Sequence, residues 1–169
     1  MDPEFLLSLV KNTEDHLNAE HDTATAQVRV ILLVEDSPYY RSIILPLLYK
    51  EVVQQTQAVM DESLTEEHRL LKMRARPKIL VAENFEEALE LYHRFRPYVF
   101  GVVSDARFPH KGRLEDSAGV ALLKKIRRQS RDMPLLLLSS EPANRPQARK
   151  LAASFVDKNS PDLNGEIRN

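Results

Sequence analysis

Four places in the chain set a chemically capable side chain directly after a short apolar run. Glu35-Asp36 follows Val28–Val34, Asp105 follows Tyr98–Ser104, Ser139 follows Leu135–Leu138, and Lys158 follows Ser154-Phe155-Val156-Asp157. Such runs read as buried strands. In an open parallel α/β sheet, ligands bind just beyond the carboxyl ends of the strands. Carboxylates brought together at that edge repel one another unless a cation neutralises them. Hard oxygen donors in an incompletely enclosed site favour Mg²⁺ or Mn²⁺, which keep water and take phosphate oxygens. A hydroxyl and an ammonium on the far side complete a cradle for phosphoryl oxygens. The chemistry that suits this set is phosphoryl transfer to a carboxylate nucleophile.

Composition narrows the setting. At 169 residues, with 43% hydrophobic and 29% charged residues, the chain fits one globular domain. A formal net charge of -1 gives no global attraction to nucleic acid or membrane. The absence of cysteine excludes disulfides, thiolate nucleophiles and Cys-based zinc sites and suits a cytoplasmic setting. The five histidines lack metal-ligand spacing, and no apolar run approaches a membrane span. Met1–Phe5 reads as a vector scar, and residues up to 26 as an N-terminal arm and linker, with 27–169 forming the domain. Within the arm, Leu6, Leu7, Leu9, Val10 and Leu17 suggest an amphipathic helix over 6–20, and Asp22–Ala26 a linker.

The elements that must position the reactive residues follow in order. After the first strand, Ser37 is an N-cap and Pro38 fits the first helical position. Tyr40, Ile43, Ile44, Leu47, Leu48, Val52 and Val53 give that helix a buried face, with a kink or break expected at Pro46. Residues 51–76 form an unusually long, helix-prone insertion. Lys78–Ala82 is the second strand, and Asn84-Phe85-Glu86-Glu87 opens a helix with a capping box. The third strand ends at Asp105, followed by an exposed loop over Phe108–Asp116 and a helix buried through Val120, Leu122, Leu123 and Ile126. The basic residues Lys124, Lys125, Arg127, Arg128 and Arg131 read as the solvated face of that helix, not as a nucleic-acid site. A fourth strand over 135–138, a helix over 146–153, a fifth strand over 154–157 and a short last helix from Pro161 complete a flavodoxin-like doubly wound parallel sheet of order 2-1-3-4-5. That last helix is too short to cover its face of the sheet and reads as truncated.

Over residues 28–168 the chain resembles the receiver domain of two-component response regulators. The likeness rests on Leu33-Val34-Glu35-Asp36-Ser37, Ser104-Asp105-Ala106-Arg107-Phe108-Pro109, Pro134–Ser140 and Ser154-Phe155-Val156-Asp157-Lys158. It implies that Asp105 accepts a phosphoryl group from a histidine kinase or phosphotransfer protein. Glu35, Asp36, Asp105 and the Arg107 carbonyl would hold Mg²⁺ or Mn²⁺. Ser139 would be the switch hydroxyl, Lys158 the phosphate-binding lysine and Phe155 the switch aromatic. The domain would be regulatory, catalysing only its own phosphorylation and dephosphorylation, and homodimerisation is open. More narrowly, Tyr39–Tyr49, His68–Pro77 and Asp157–Pro161 are similar to receivers in proteins that also carry a PEP/pyruvate-binding domain. Asn159 stands where the family has proline, so the usual reason for a cis peptide after Lys158 is missing. That departure and the long insertion suggest an alternative, a pseudo-receiver that binds partners without phosphorylation. A metal-dependent phosphohydrolase is a further alternative, but Arg107 occupies the place of its second acid.

Overall fold

The computed structural model describes residues 3–60 and 76–168. One parallel sheet carries the fold. Its strands are β1 (Val30–Val34), β2 (Lys78–Ala82), β3 (Val99–Asp105), β6 (Leu135–Ser139) and β7 (Ser154–Asp157), in the order β2-β1-β3-β6-β7. This is the flavodoxin-like arrangement expected from the sequence, with the switch point between β1 and β3. Alternate strand residues serve two cores. Leu33, Ile79, Val81, Leu138 and Val156 meet Ile44, Leu45 and Leu48 of helix α2 (Pro38–Met60). On the other face, Leu32, Val34, Val102 and Leu137 meet α3 (Phe85–Phe95) through Tyr92, α4 (Ala118–Gln129) through Leu122, Leu123 and Ile126, and α5 (Arg145–Lys150) through Ala148. A final helix, α6 (Leu163–Arg168), packs beside α2 through Leu163 and Ile167. Burial on both faces explains why the strands read as unbroken apolar runs.

Several local expectations change. Helix α2 runs unbroken through Pro46. In β3, Phe100 is 40% exposed at the amino end, away from the reactive edge. The segment expected as an exposed loop is instead a hairpin of β4 (Phe108–His110) and β5 (Arg113–Glu115), with Phe108 fully buried. Its two-residue turn has positive φ at Lys111 (52°) and Gly112 (72°), the type I′ combination that matches the twist of paired strands. His110 stacks on Phe85 at 4.1 Å and bonds Glu115 at 3.0 Å, which pins the hairpin to the start of α3. The expectation for residues 61–75 lies outside the described residues.

The N-terminal arm departs most. Helix α1 spans Pro3–Ala26, so the Asp22–Ala26 linker is helical. It ends at Gln27, which takes a left-handed φ of 51° and returns its N–H to the Thr23 carbonyl. The helix buries its polar side: Ser8, Asp15, Ala19 and Thr23 are inside, while Leu6, Leu7, Leu9, Val10 and Leu17 are 41% to 78% exposed. The reason is the outer border of β2, whose main-chain groups lack a neighbouring strand. Asn12 Nδ2 donates to the Ile79 carbonyl at 2.8 Å, the Ile79 N–H donates to Asp15 Oδ2 at 2.9 Å, and the Val81 N–H donates to His16 Nε2 at 3.0 Å. Asp15, fully buried, also takes both Arg76 donors (2.8 and 3.0 Å) and the Tyr49 hydroxyl (2.8 Å), with Lys78 Nζ 3.7 Å away.

Removing one member of a buried ion pair strands its partners. Asp15→Ala is therefore expected to lower unfolding free energy by about 3 kcal/mol or more in urea titration. His16 tests the same contact by pH. Burial lowers its pKa below the ordinary 6.5, and the neutral ring is the form that accepts from Val81. The unfolded chain then binds the extra proton first, so this stabilisation is present above pH 6.5 and is lost as pH falls through the depressed value. The stability difference between the parent and His16→Ala should shrink on going from neutral pH to about pH 5.

Candidate functional site

Strand register brings the reactive residues to one edge. Val34 pairs with Ser104, Asp105 with Leu138, and Ser139 with Asp157. The ladder continues beyond the strand ends: the Glu35 N–H donates to Ala82 O (3.0 Å), Ala106 N–H to Leu138 O (2.9 Å) and Lys158 N–H to Ser139 O (3.0 Å). The backbone at Asp105 is further fixed by α4. A Cβ on Gly119 would lie 1.9 Å from the Asp105 carbonyl oxygen, so only glycine lets that helix start so close. The sequence offers a glycine here but no sign that it abuts Asp105.

At this edge Lys158 Nζ lies 2.5 Å from Glu35 Oε2 and 2.9 Å from Asp105 Oδ1. The same ammonium sits 4.0 Å from the centroid of the Tyr40 ring, a favourable place for a cation. Glu35 is fully buried, and its Oε1 accepts the Ser37 N–H at 3.1 Å. Asp105, 8% exposed, accepts the Ala106 N–H on Oδ1 at 2.7 Å. Oxygens of Glu35, Asp36 and Asp105 all lie within 4.8 Å of one another. Three acids against one ammonium leave a deficit of positive charge, and this all-oxygen donor set fits a hard divalent cation.

Burial pushes the Glu35 carboxyl up to about 7, with the neighbouring Asp105 adding to the rise and Lys158 and the Ser37 N–H opposing it. Asp105 is likewise raised, first by burial and then by Asp36, against the pull of Lys158 and the Ala106 N–H. These acids therefore sit in a site that disfavours their charge until further positive charge arrives.

The cleft above them, about 240 Å³, is lined by Asp36, Asp105, Arg107, Ser139, Asn144 and Lys158, together with Tyr40, Leu114 and Asp116. Ser139 is 3% exposed and its Oγ accepts from the Glu141 N–H (3.0 Å) and Asn144 Nδ2 (2.9 Å). Arg107 contributes a side chain paired with Asp116 at 3.2 Å. Phe155 does not line the cleft; it is half-buried, with the Arg145 guanidinium 4.7 Å from its ring. Every other side chain singled out from the sequence thus meets at the cleft or directly beneath it. Leu114, Asp116 and Asn144 were not singled out, because they come from the hairpin and a loop that carry no periodic signal.

Solved structures with the same architecture include the chemotaxis protein CheY4 of Vibrio cholerae, 18% identical, with a TM-score of 0.54 over 83% of this chain and 92% of that one. A response regulator receiver domain protein of Clostridium thermocellum, 17% identical, gives 0.57 over 83% and 90%. The response regulator TrrA of Thermotoga maritima, in complex with Mg²⁺-BeF, is 22% identical and gives 0.51 over 83% and 97%. The chain has a receiver-domain fold. No family model and no curated protein sequence matches it. The receiver fold and the acidic cluster at its reactive edge are compatible with divalent-metal binding. No cis peptide bond occurs among the described residues, so the one after Lys158 is trans. No helix among them is long and apolar enough to cross a membrane.

The raised Glu35 value sets a sign for stability. Between pH 4.5 and about 7 the folded, metal-free protein keeps a proton that the unfolded chain has released. Stability is therefore expected to fall as pH rises across that window. Urea midpoints measured in EDTA should show this slope, and Glu35→Gln should flatten it.

Proposed function

We propose that the chain is a phosphorelay receiver that takes a phosphoryl group onto Asp105 from a phosphohistidine donor. The observation that carries this reading is the Lys158 ammonium held between Glu35 and Asp105, beside an oxygen cluster spanning no more than 4.8 Å. Lys158 and the Ala106 N–H both engage Asp105 Oδ1; Oδ2 accepts no hydrogen bond from the described residues and is suited to attack phosphorus. As the new P–O bond forms, the donor's P–N bond breaks and its imidazole, already protonated on the other ring nitrogen, leaves as the neutral ring. Lys158 balances charge on the acyl phosphate, and Ser139 donates to a phosphoryl oxygen. Glu35, Asp36, Asp105 and the Arg107 carbonyl would hold Mg²⁺ or Mn²⁺, which supplies charge neutralisation for the entering phosphoryl group.

The added charge then favours one of two arrangements of the loops around Ser139 and Phe155, and so changes which proteins the domain binds. In this reading the chain is a regulatory module of the cytoplasm. Its partners are a histidine kinase or phosphotransfer protein and, from the resemblance of Tyr39–Tyr49 and Asp157–Pro161, a covalently linked PEP/pyruvate-binding domain.

Incubation with Mg²⁺ and acetyl phosphate should give a single phosphoryl adduct by intact mass. Asp105→Asn should abolish it, and Lys158→Ala should slow its formation. An adduct that persists in Asp105→Asn overturns the assignment. No adduct and no Mg²⁺-dependent response to beryllofluoride would instead favour a phosphorylation-independent binding module.

A further inference from the structure

We infer that Asn144 is a positioning residue that aims the Ser139 hydroxyl at the phosphoryl site; this rests on the receiver reading above. A serine hydroxyl has one proton to donate and two lone pairs to accept with. In this structure both lone pairs are taken, one by the Glu141 N–H at 3.0 Å and one by Asn144 Nδ2 at 2.9 Å. Ser139 is left with donation alone, and donation is what a phosphoryl oxygen requires. Without Asn144 the hydroxyl regains a free lone pair and can turn its proton elsewhere.

The neighbourhood supports a dedicated role. Ser139, Glu141 and Asn144 all line the same cleft as Asp105 and Lys158. A short 3₁₀ turn, Pro142–Asn144, folds the chain back, and the Asn144 N–H returns to the Glu141 carbonyl at 3.1 Å. The amide is thereby fixed over Ser139 by its own backbone. The next residue, Arg145, begins α5 and lies over Phe155. Asn144 therefore sits between the hydroxyl that meets the ligand and the helix beside the aromatic ring.

The test is the affinity of the full chain for beryllofluoride in saturating Mg²⁺, followed by fluorine NMR or calorimetry, in the parent, Asn144→Ala, Asn144→Asp, Ser139→Ala and the two double variants. Losing one oriented hydrogen bond should weaken binding roughly three- to tenfold in Asn144→Ala. Asn144→Asp, which can only accept, should draw the Ser139 proton to itself and weaken binding at least as much as Ser139→Ala. In the Ser139→Ala background the Asn144→Ala change should have no further effect, which separates aiming from loop folding. Mg²⁺ affinity without beryllofluoride should stay unchanged in Asn144→Ala. Unaltered or tighter beryllofluoride binding by Asn144→Ala, or an equal loss with and without the serine hydroxyl, overturns the proposal. Failure of the parent to bind beryllofluoride overturns the receiver reading and this proposal with it.

Discussion

The site depends on one ammonium between two buried acids. Two unit charges at about 4 Å interact by roughly 4 kcal/mol at an effective dielectric near 20. Oxygens of Glu35, Asp36 and Asp105 lie within 4.8 Å of one another, so their charged forms repel and Lys158 offsets part of that repulsion. The lysine reaches them from a strand end 123 residues along the chain from Glu35. Its placement is a property of the whole sheet: a slip of the β6–β7 pairing by one residue would turn it to the opposite face. The apolar layers that look least functional therefore set the electrostatics of the cleft.

The same dependence explains what could be read beforehand. Strands β1, β2, β3, β6 and β7 were legible because each is a short apolar run stopped by a polar residue. The reactive side chains were legible because they are those stopping residues. The capping box at Asn84 was half right: Asn84 Oδ1 accepts the Glu87 N–H at 2.9 Å, but Glu87 returns to the Glu83 N–H at 2.8 Å. The hairpin is not legible because two three-residue strands are too short for alternation to register, and Lys111-Gly112 is not among the dipeptides that mark a type I′ turn. Asn144 is not legible because what sets it apart is a contact with Ser139, five residues back, and not any spacing.

Helix α1 is expected from the sequence over 6–20, but which of its faces is buried is not legible, for a more general reason. Hydrophobic periodicity assumes that the buried face is the apolar one. Here the partner surface is a row of main-chain donors and acceptors, which polar side chains satisfy and leucines cannot. Asn12, Asp15 and His16 hence turn inward, and Leu6, Val10 and Leu17 turn out. The strand order already puts β2 at the border, but nothing in the helix's own periodicity says that it packs there.

That arrangement has a geometric corollary. With one flank of the sheet occupied by a helix of the same chain, an incoming strand from another molecule finds no vacancy beside β2. Among the described residues the other border of the sheet is β7, whose last residue precedes Lys158. A strand added at that border would lie next to the cleft and would have to displace Glu166, whose Oε2 accepts the Asp157 N–H at 3.3 Å.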